Sequence, residues 1–298
     1  MTFLTRHDSI PAGHRFREHL AGPSIFRLPG AHNGQAALQA RVAGFEGLYL
    51  SGAAMSASMG LPDLGLITID DVCFFIRQVA GASGLPVLVD ADTGYGEALN
   101  VMVMVRRFEE AGAAAIHLED QILPKKCGHL SDKRLASPLD MAAKIAAACR
   151  ARRDLVVIAR TDAVANEGID AAVARARLYL EAGADAIFPE ALTDVGMMRA
   201  FAEALPGIPL LANMTEFGRS PRLTGAELQS LGYRMVIWPV SSLRVANKAQ
   251  KTLYVTLRDH DCTDSALSAM QTRQELYDTL SYFAFEDLDN GICRSVLP

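Results

Sequence analysis

The 298-residue sequence has little of several features that mark particular classes of protein. It has no apolar run approaching the ~20 residues of a membrane-spanning helix. Its net charge is only −5, from 29 Lys and Arg against 34 Asp and Glu, so a nucleic-acid partner is not expected. With 50% hydrophobic and 21% charged residues, the chain is also not of the disordered class. We therefore expect a globular protein with no membrane and no nucleic acid among its partners.

Cysteines are few, and they are scattered. The five are Cys73, Cys127, Cys149, Cys262 and Cys293. This odd number at wide spacing is typical of reduced thiols in the cytosol and not of a disulfide framework. The first fourteen residues are polar and lack the apolar stretch of a signal peptide. Both features predict a cytoplasmic location.

A short apolar run, a polar or Gly-rich loop and an Ala-, Arg- and Glu-rich segment follow one another eight times. The runs predict strands at Ser24–Leu28, Gly47–Leu50, Pro86–Val89, Ala114–Leu118, Leu155–Ala159, Ala186–Phe188, Pro209–Ala212 and Met235–Trp238. The segments between them predict helices at Gly34–Ala43, Asp70–Ala80, Ala98–Ala111, Pro138–Arg150, Ile169–Ala182, Val195–Ala204, Gly225–Leu231 and Ser242–Arg258. Continuously apolar runs are typical of parallel strands that are buried on both faces.

Eight strand–helix units in a chain of this length predict a (β/α)8 TIM-type barrel, which typically takes ~250 residues. A doubly wound sheet is the alternative, but no Gly-x-Gly-x-x-Gly follows the first strand. No linker divides the chain, so we expect one domain over residues 1–298, with a polar N-terminal segment and a helical extension from about residue 261. A single helix at Ser265–Phe283 is predicted to cover the barrel mouth or a neighbouring subunit.

Polar side chains follow most of the predicted strands, where the active sites of such barrels lie. They are Tyr49, Ser51, Gly52, Asp90, Asp92, His117, Glu119, Asp120, Arg160, Asp162, Glu190, Asn213, Thr215, Ser241 and Arg244. Strand ends that simply meet solvent would explain any one of them. A whole ring of carboxylates and arginine in a packed mouth is costly unless its members are partnered or functional.

The pair Asp90 and Asp92 is the sharpest feature of this ring. Residues i and i+2 of a strand share a face, so both carboxylates can point toward the barrel axis. Carboxylate ligands without a nearby Cys or His pair favour a hard cation, and we predict Mg²⁺. The alternative is that the pair caps the next helix or binds Arg160.

The segment from residue 121 to 136 is the longest polar connection between a strand and its helix. Loops of this length in a compact barrel are usually functional or mobile. Lys125, Lys126 and His129 surround Cys127 with positive charge, a setting that activates a thiol. We therefore expect Cys127 to take part in the chemistry, the alternative being an incidental exposed thiol.

Arginines that converge on one site indicate a small substrate with several carboxylates, because a guanidinium grips a carboxylate in a bidentate fork. Arg160 follows a strand, Arg244 begins the last barrel helix and Arg273 lies in the C-terminal extension. Taken singly, each could be a solvated surface residue. The residues thus predict Mg²⁺-dependent chemistry on a small carboxylate, without specifying which bond breaks.

At these same residues the sequence resembles the isocitrate lyase and phosphoenolpyruvate mutase superfamily. The resemblance covers nearly the whole chain and is carried by residues 60–65 (Gly-Leu-Pro-Asp-Leu-Gly), 89–92 (Val-Asp-Ala-Asp), 117–121 (His-Leu-Glu-Asp-Gln) and 124–130 (Pro-Lys-Lys-Cys-Gly-His-Leu). Within the superfamily, the 2-methylisocitrate lyase family is the most similar, on residues 188–191, 213–218, 239–244 and 270–277.

The resemblance implies cleavage of 2-methylisocitrate to pyruvate and succinate in propionate breakdown, by a homotetramer that exchanges C-terminal helices. It implies that Asp90 and Asp92 hold Mg²⁺. The implied substrate contacts are Ser51, Gly52, Ala53, Cys127, Gly128, Arg160, Glu190, Asn213, Thr215, Arg244 and Arg273. Ala53 stands where the family often has glycine, and a contact made there by the backbone N–H would survive this change.

In the mechanism we expect, a base removes the proton of the substrate's 2-hydroxyl, and both Tyr49 and Glu119 are candidates. Arg160 and its neighbours stabilise the enolate, and Cys127 protonates it. Another member of the superfamily remains an alternative: an oxaloacetate decarboxylase, a 2,3-dimethylmalate lyase or a carboxyphosphonoenolpyruvate mutase. A non-catalytic barrel that serves as a binding protein is a more remote one.

Overall fold

The computed structural model describes residues 3–5, 10–126, 128 and 133–292. The eight strands are β1 (Phe26–Pro29), β2 (Leu48–Leu50), β3 (Val87–Asp90), β4 (Ala115–Glu119), β5 (Val156–Thr161), β6 (Ala186–Pro189), β7 (Leu211–Asn213) and β8 (Met235–Trp238). The α-helices are α1 (Ala12–Ala21), α2 (Gly34–Val42), α3 (Gly52–Ser58), α4 (Ile69–Ser83), α5 (Ala98–Ala111), α6 (Pro138–Ala151), α7 (Val164–Glu167), α8 (Ile169–Glu181), α9 (Val195–Ala204), α10 (Gly225–Ser230), α11 (Ser241–His260), α12 (Arg273–Leu280) and α13 (Tyr282–Gly291).

The strands close into a parallel barrel, as predicted. β2 to β6 form a five-stranded sheet in sequence order, and β8 lies between β1 and β7 in a three-stranded sheet. Two parallel bridges join these sheets, Gly30 with Tyr49 and Ile187 with Leu210. The (β/α)8 fold follows from this closed order, and all eight predicted strands are confirmed to within a few residues.

Alternation along each strand separates two layers of core. Leu88 and Ile158 pack inside the barrel with Phe188, whereas Val89 and Val157 pack outward against the helices. Because side chains alternate along a strand, Asp90 has the inward parity of Leu88. Near the ends of the strands, the residues of this inward parity therefore point toward the barrel axis at its carboxyl end.

The amino-terminal end of the barrel is covered by α1, a helix within the segment that is predicted only to be polar. Phe16 of α1 is fully buried and meets Phe26 edge to face, with ring centroids 5.1 Å apart. Gly13 allows this close approach, since a Cβ there would lie 1.9 Å from the Asp154 carbonyl oxygen. The helix is hard to detect because its buried positions are few and its other residues are polar.

Local signals start and stop the helices where they were expected. Thr68 caps α4 and forms a reciprocal capping box with Asp71. Gly112 ends α5 in the left-handed region, at φ 108°. Within the described ranges, no helix is both long and apolar enough to cross a membrane.

The described residues fall into two compact units, one within residues 10–243 that contains the whole barrel, and one that contains residues 244–292 and residues 3–5. In the second unit the prediction of one helix at Ser265–Phe283 is wrong. A 3-10 helix at Asp264–Ala269 is followed by α12 and α13, because Thr272 starts a new helix with its own capping box and Ser281 breaks it at φ 55°. That residues 1–298 form one domain stays a prediction.

Candidate active site

Asp90 ends β3 inside the barrel mouth and is held there by its neighbours. Its Oδ2 accepts a hydrogen bond from the Gly52 backbone N–H at 3.0 Å, and the Tyr49 hydroxyl lies 3.4 Å from the same oxygen. The Tyr49 hydroxyl is also 2.8 Å from Nε2 of the buried His117. Burial opposes ionisation of Asp90, but attraction to His117, Lys125 and Arg160 prevails and holds its pKa well below the usual range.

Asp92 follows two residues later, with its backbone in the left-handed region at φ 52°. Its Oδ2 lies 3.5 Å from Nζ of the buried Lys125, which is closer, at 2.6 Å, to Oδ1 of Asp63. Its Oδ1 is buried without a hydrogen-bond partner. Burial, with the charges of Asp90 and Asp63, raises the pKa of Asp92 to about 6. A cation beside Asp92 would therefore be stabilised.

Glu119 and Arg160 face each other from neighbouring strands, being paired in the β4–β5 register. Arg160 Nη1 lies 3.1 Å from Glu119 Oε2, yet neither carboxylate oxygen of Glu119 has a hydrogen bond of good geometry. Burial raises the pKa of Glu119 well above its usual range, against the attraction of Arg160. Asp162 holds the other side of the guanidinium, accepting from Nε at 2.9 Å and from Nη2 at 3.2 Å.

The next two strands complete the ring. Glu190, directly after β6, is buried, and its carboxylate accepts from Asn213 Nδ2 at 3.3 Å. Asn213 Oδ1 in turn accepts from the Thr215 backbone N–H at 3.1 Å. Gly128 reaches the same place from the long loop, because a Cβ built on it would lie 2.3 Å from Cγ of Glu190 and 2.6 Å from Nη2 of Arg160.

The structure thus brings most of the predicted site residues into one mouth. Linked through the contacts above are Tyr49, Gly52, Asp90, Asp92, Glu119, Gly128, Arg160, Glu190, Asn213 and Thr215. Ser51 is the buried N-cap residue of α3, next to Gly52. Ala53 follows, half-buried beside the small cluster of Ala54, Val240 and Leu243.

Three other predicted residues are not among those linked by these contacts. Cys127 lies outside the described residues. Arg244 and Arg273 belong to the second compact unit, in α11 and at the start of α12. Their roles in substrate binding and protonation stay predictions.

The described parts of the long loop are anchored at both ends. Gln121 pairs with Leu135 in an antiparallel bridge, and its side chain bonds both backbone groups of Lys126. The ammonium of Lys125 lies against Asp63 and Asp92, and its predicted effect on the Cys127 thiol stays a prediction. His129 lies outside the described residues.

The donor set fits Mg²⁺. The structure does not support the alternative roles for the Asp pair, because Glu97 caps α5 and the ion pairs of Arg160 are with Glu119, Asp162 and Glu190. The buried Oδ1 of Asp92 lacks a partner. In the part of the chain that is described, no three Asp, Glu, His or Cys side chains form a closed metal cage. A site of two carboxylates that leaves positions for water and substrate is what Mg²⁺ ordinarily uses.

Two residues of the mouth were missed from the sequence. Asp63 lies in the Gly60–Gly65 segment, where only the resemblance gave a signal, and it meets Lys125. Lys133 is buried on the far side of Arg160 and bonds Asp162. Nothing in the local sequence distinguishes this lysine from one exposed on a loop.

Comparisons with known proteins agree with this geometry. The model of the family described as phosphoenolpyruvate phosphomutase matches residues 16–257. A 2-methylisocitrate lyase of Bacillus subtilis (strain 168) is 51% identical over 284 residues, covering 95% of this chain and 94% of that protein. The structure of 2,3-dimethylmalate lyase, a PEP mutase/isocitrate lyase superfamily member, matches with a TM-score of 0.91 and 34% identity, over 97% of this chain and 98% of the other.

A further solved structure bears on the metal. Phosphonopyruvate hydrolase in complex with oxalate and Mg²⁺ matches with a TM-score of 0.86 and 30% identity, over 96% of this chain and 100% of the other. The family model and these relatives extend over the barrel and its mouth. The chain therefore belongs to the phosphoenolpyruvate mutase and isocitrate lyase superfamily of enzymes.

Proposed function

We propose that this protein is a Mg²⁺-dependent carbon–carbon lyase that cleaves 2-methylisocitrate to pyruvate and succinate, the step that the methylcitrate cycle uses in propionate breakdown. One observation carries the proposal. Two buried carboxylates of the mouth, Asp92 and Glu119, have oxygens without a hydrogen-bond partner, and Glu119 faces the buried Arg160, in a chain 51% identical to a 2-methylisocitrate lyase. Such a mouth suits a polyanionic substrate and a divalent cation together.

Asp90 and Asp92 would hold the metal. When bound there, Mg²⁺ supplies Lewis-acid polarisation of the substrate's 2-hydroxyl and its adjacent carboxylate. Lys125 balances part of the negative charge of this pair through its contact with Asp92. Gly52 fixes the direction of the Asp90 carboxylate through its backbone N–H.

Of the two candidate bases, Glu119 fits better. Neither of its oxygens accepts a hydrogen bond of good geometry, and in its ionised form a carboxylate whose pKa is raised by burial is a stronger proton acceptor. Burial and the charge of Asp90 raise the pKa of Tyr49 well above its usual range, so its phenol stays protonated and serves as a donor. Glu119 takes the hydroxyl proton, and the C2–C3 bond breaks as C2 becomes the carbonyl of pyruvate.

The electron pair of that bond passes to the succinate fragment, which leaves as an enolate. The Arg160 guanidinium and the Asn213 amide stand at the mouth to stabilise its carboxylate charge. A proton on the former C3 completes succinate, and we propose the Cys127 thiol as its donor. Replacing Cys127 with Ser would then abolish turnover while largely sparing substrate binding.

The test is an assay of 2-oxo-acid release with and without Mg²⁺, which measures pyruvate from 2-methylisocitrate, 2,3-dimethylmalate and oxaloacetate, and glyoxylate from isocitrate. We expect kcat/KM for 2-methylisocitrate to exceed the others by at least tenfold, since one methyl group in a fitted pocket contributes about 1–3 kcal/mol. A clear preference for dimethylmalate or oxaloacetate would contradict the proposed substrate. Activity that persists after chelation of divalent cations would contradict the proposed need for Mg²⁺.

We also propose that copies of this chain assemble, as the expected homotetramer. Within the chain no described residue from 244 to 292 is buried, although α12 and α13 carry Leu276, Leu280, Tyr282 and Phe283. Apolar side chains in such number usually contact another subunit. Light scattering on the purified protein measures the mass; a monomer at micromolar concentration would refute the assembly. The cytoplasmic location stays a prediction.

A further inference from the structure

Lys133 is a buried cation with no part in the chemistry proposed above. Its side chain has no exposed surface, and its Nζ donates to the Gly128 carbonyl at 2.6 Å and to Asp162 Oδ1 at 2.8 Å. An ammonium is costly to bury unless it is both paired and hydrogen-bonded. Its two acceptors therefore indicate what the residue does.

The first acceptor, Asp162, also holds Arg160. Its two oxygens take the Nε and Nη2 groups of the guanidinium, and its backbone N–H donates to Asp120 Oδ1 at 2.8 Å. Lys133 thus shares one carboxylate with Arg160. Because Glu119 and Glu190 also face that guanidinium, Lys133 offsets negative charge that would otherwise oppose a polyanionic substrate.

The second acceptor is the carbonyl of Gly128, which packs against the same guanidinium at Nη2. A Cβ on Gly128 would collide with Nη2 of Arg160 and with Glu190, so this peptide is in direct contact with both. The main chain at Lys133 is itself fixed, since Asn166 of α7 donates its side-chain N–H to the Lys133 carbonyl at 2.7 Å. The ammonium therefore ties the Gly128 peptide to a rigid part of the barrel.

We propose that Lys133 is a positioning residue: its ammonium joins the Gly128 peptide to the Asp162–Arg160 pair and so sets where the substrate carboxylate meets Arg160. This rests on the proposed function, because it assumes that Arg160 binds a substrate carboxylate. Under this proposal Lys133 acts through Gly128 and Asp162 and makes no contact with the substrate.

The first experiment replaces Lys133 with Met, which keeps the length of the side chain and removes its charge. We expect kcat/KM for 2-methylisocitrate to fall about 100-fold, since a misplacement of ~1 Å has this effect. Arg41→Met is the matched control, because Arg41 also donates to a backbone carbonyl, that of Ser83, but on the outer helices. Its kcat/KM should equal that of the unaltered enzyme.

The second experiment uses chemical rescue to distinguish a positioning role of Lys133 from a general effect on stability. Lys133→Ala leaves a space equal to the missing side chain, which n-propylammonium can fill with its charge at the Nζ position. We expect saturable recovery of kcat/KM by at least about tenfold, and none from tetramethylammonium chloride at the same ionic strength. A loss of less than about tenfold in Lys133→Met, or no recovery of Lys133→Ala, overturns the proposal.

Failure of the proposed function can be distinguished from failure of the positioning role proposed for Lys133. If the unaltered enzyme prefers another of the four substrates, the same comparisons are made with that substrate. If it accepts none, hydrogen–deuterium exchange of the peptide spanning residues 121–136 decides. Faster exchange in Lys133→Met than in Arg41→Met supports the positioning role, and equal exchange refutes it.

Discussion

The two ends of the barrel are built on the same eight strands but treat polar groups in opposite ways. At the amino-terminal end, the Glu109 carboxylate accepts hydrogen bonds from the backbone N–H groups of residues 153–155. Arg234 donates there to the carbonyls of Leu20 and Gly22. The centre of this end is the apolar contact of Phe16 with Phe26. Charged groups thus meet fixed protein partners, which favours stability.

At the carboxyl end some of the buried charged groups lack such partners. Among the described residues, the buried carboxylate oxygens with no hydrogen-bond partner belong to Asp92 and Glu119. An unpaired buried polar atom destabilises a fold, so a cluster of them marks a place that a ligand completes. The comparison teaches that one end contributes stability and the other contributes chemistry, and the following variants test this division.

The largest effect is expected from Asp92→Asn at the mouth. Loss of one metal-binding charge should lower kcat/KM at least about a thousandfold. Because the pKa of Asp92 is raised to about 6, its carboxylate is mostly ionised at neutral pH at a cost to folding, so the neutral Asn should not lower stability. Thermal unfolding should also lose its response to Mg²⁺. Normal turnover in this variant would contradict the conclusion that the carboxyl end of the barrel contributes the chemistry.

Phe16→Ala, at the amino-terminal end of the barrel, should lower stability and leave turnover almost unchanged. Removing a fully buried ring should lower the free energy of unfolding by about 3–5 kcal/mol, measured by urea denaturation. At a temperature where the variant is folded, kcat/KM should stay within about threefold of the parent, because Phe16 lies far from the carboxyl end. A selective loss of turnover with unchanged stability would show that both ends serve catalysis.

Gly128→Ala tests whether the close packing of Gly128 in the mouth is needed for turnover. Its Cβ would lie 2.3 Å from Glu190 Cγ, so the peptide or the carboxylate must move, and kcat/KM should fall about 100-fold. Gly81→Ala is the matched control. It lies inside α4, where a Cβ meets nothing within 4 Å, and alanine should raise stability there by about 1 kcal/mol. Equal kinetics for the two variants would contradict the packing at Gly128.

The smallest effect is expected on the outer helices. Thr68→Ala removes the N-cap of α4 and its capping box with Asp71, and it should lower the free energy of unfolding by about 1 kcal/mol. Steady-state kinetics should not change. A marked loss of activity would mean that helix α4 transmits strain to the mouth.

The features that could be predicted from the sequence are those that depend on local interactions. Strands such as Met235–Trp238 and helix boundaries such as that of α5 were found because apolar runs and end glycines are short-range patterns. The mouth was found because strand ends must meet in a closed barrel, which brought Asp90 and Glu119 together. Helix α1 and the break at Ser281 were missed, because both depend on packing or on one backbone angle.

The details of the mouth were the least predictable. Lys125 contacts carboxylates that are distant in sequence, and its ion pair with Asp63 spans 62 positions of the chain. Lys133 looked like any loop lysine until Asp162 and Gly128 were placed around it. Such pairings depend on tertiary geometry, and no local periodicity encodes them.

The backbone of Asp92 has a consequence for engineering. A left-handed conformation at φ 52° disfavours a residue with a Cβ by roughly 1 kcal/mol relative to glycine. Selection of random variants for heat resistance alone should therefore enrich glycine or asparagine at position 92 and yield robust but inert proteins. A library intended to keep turnover has to hold that codon constant.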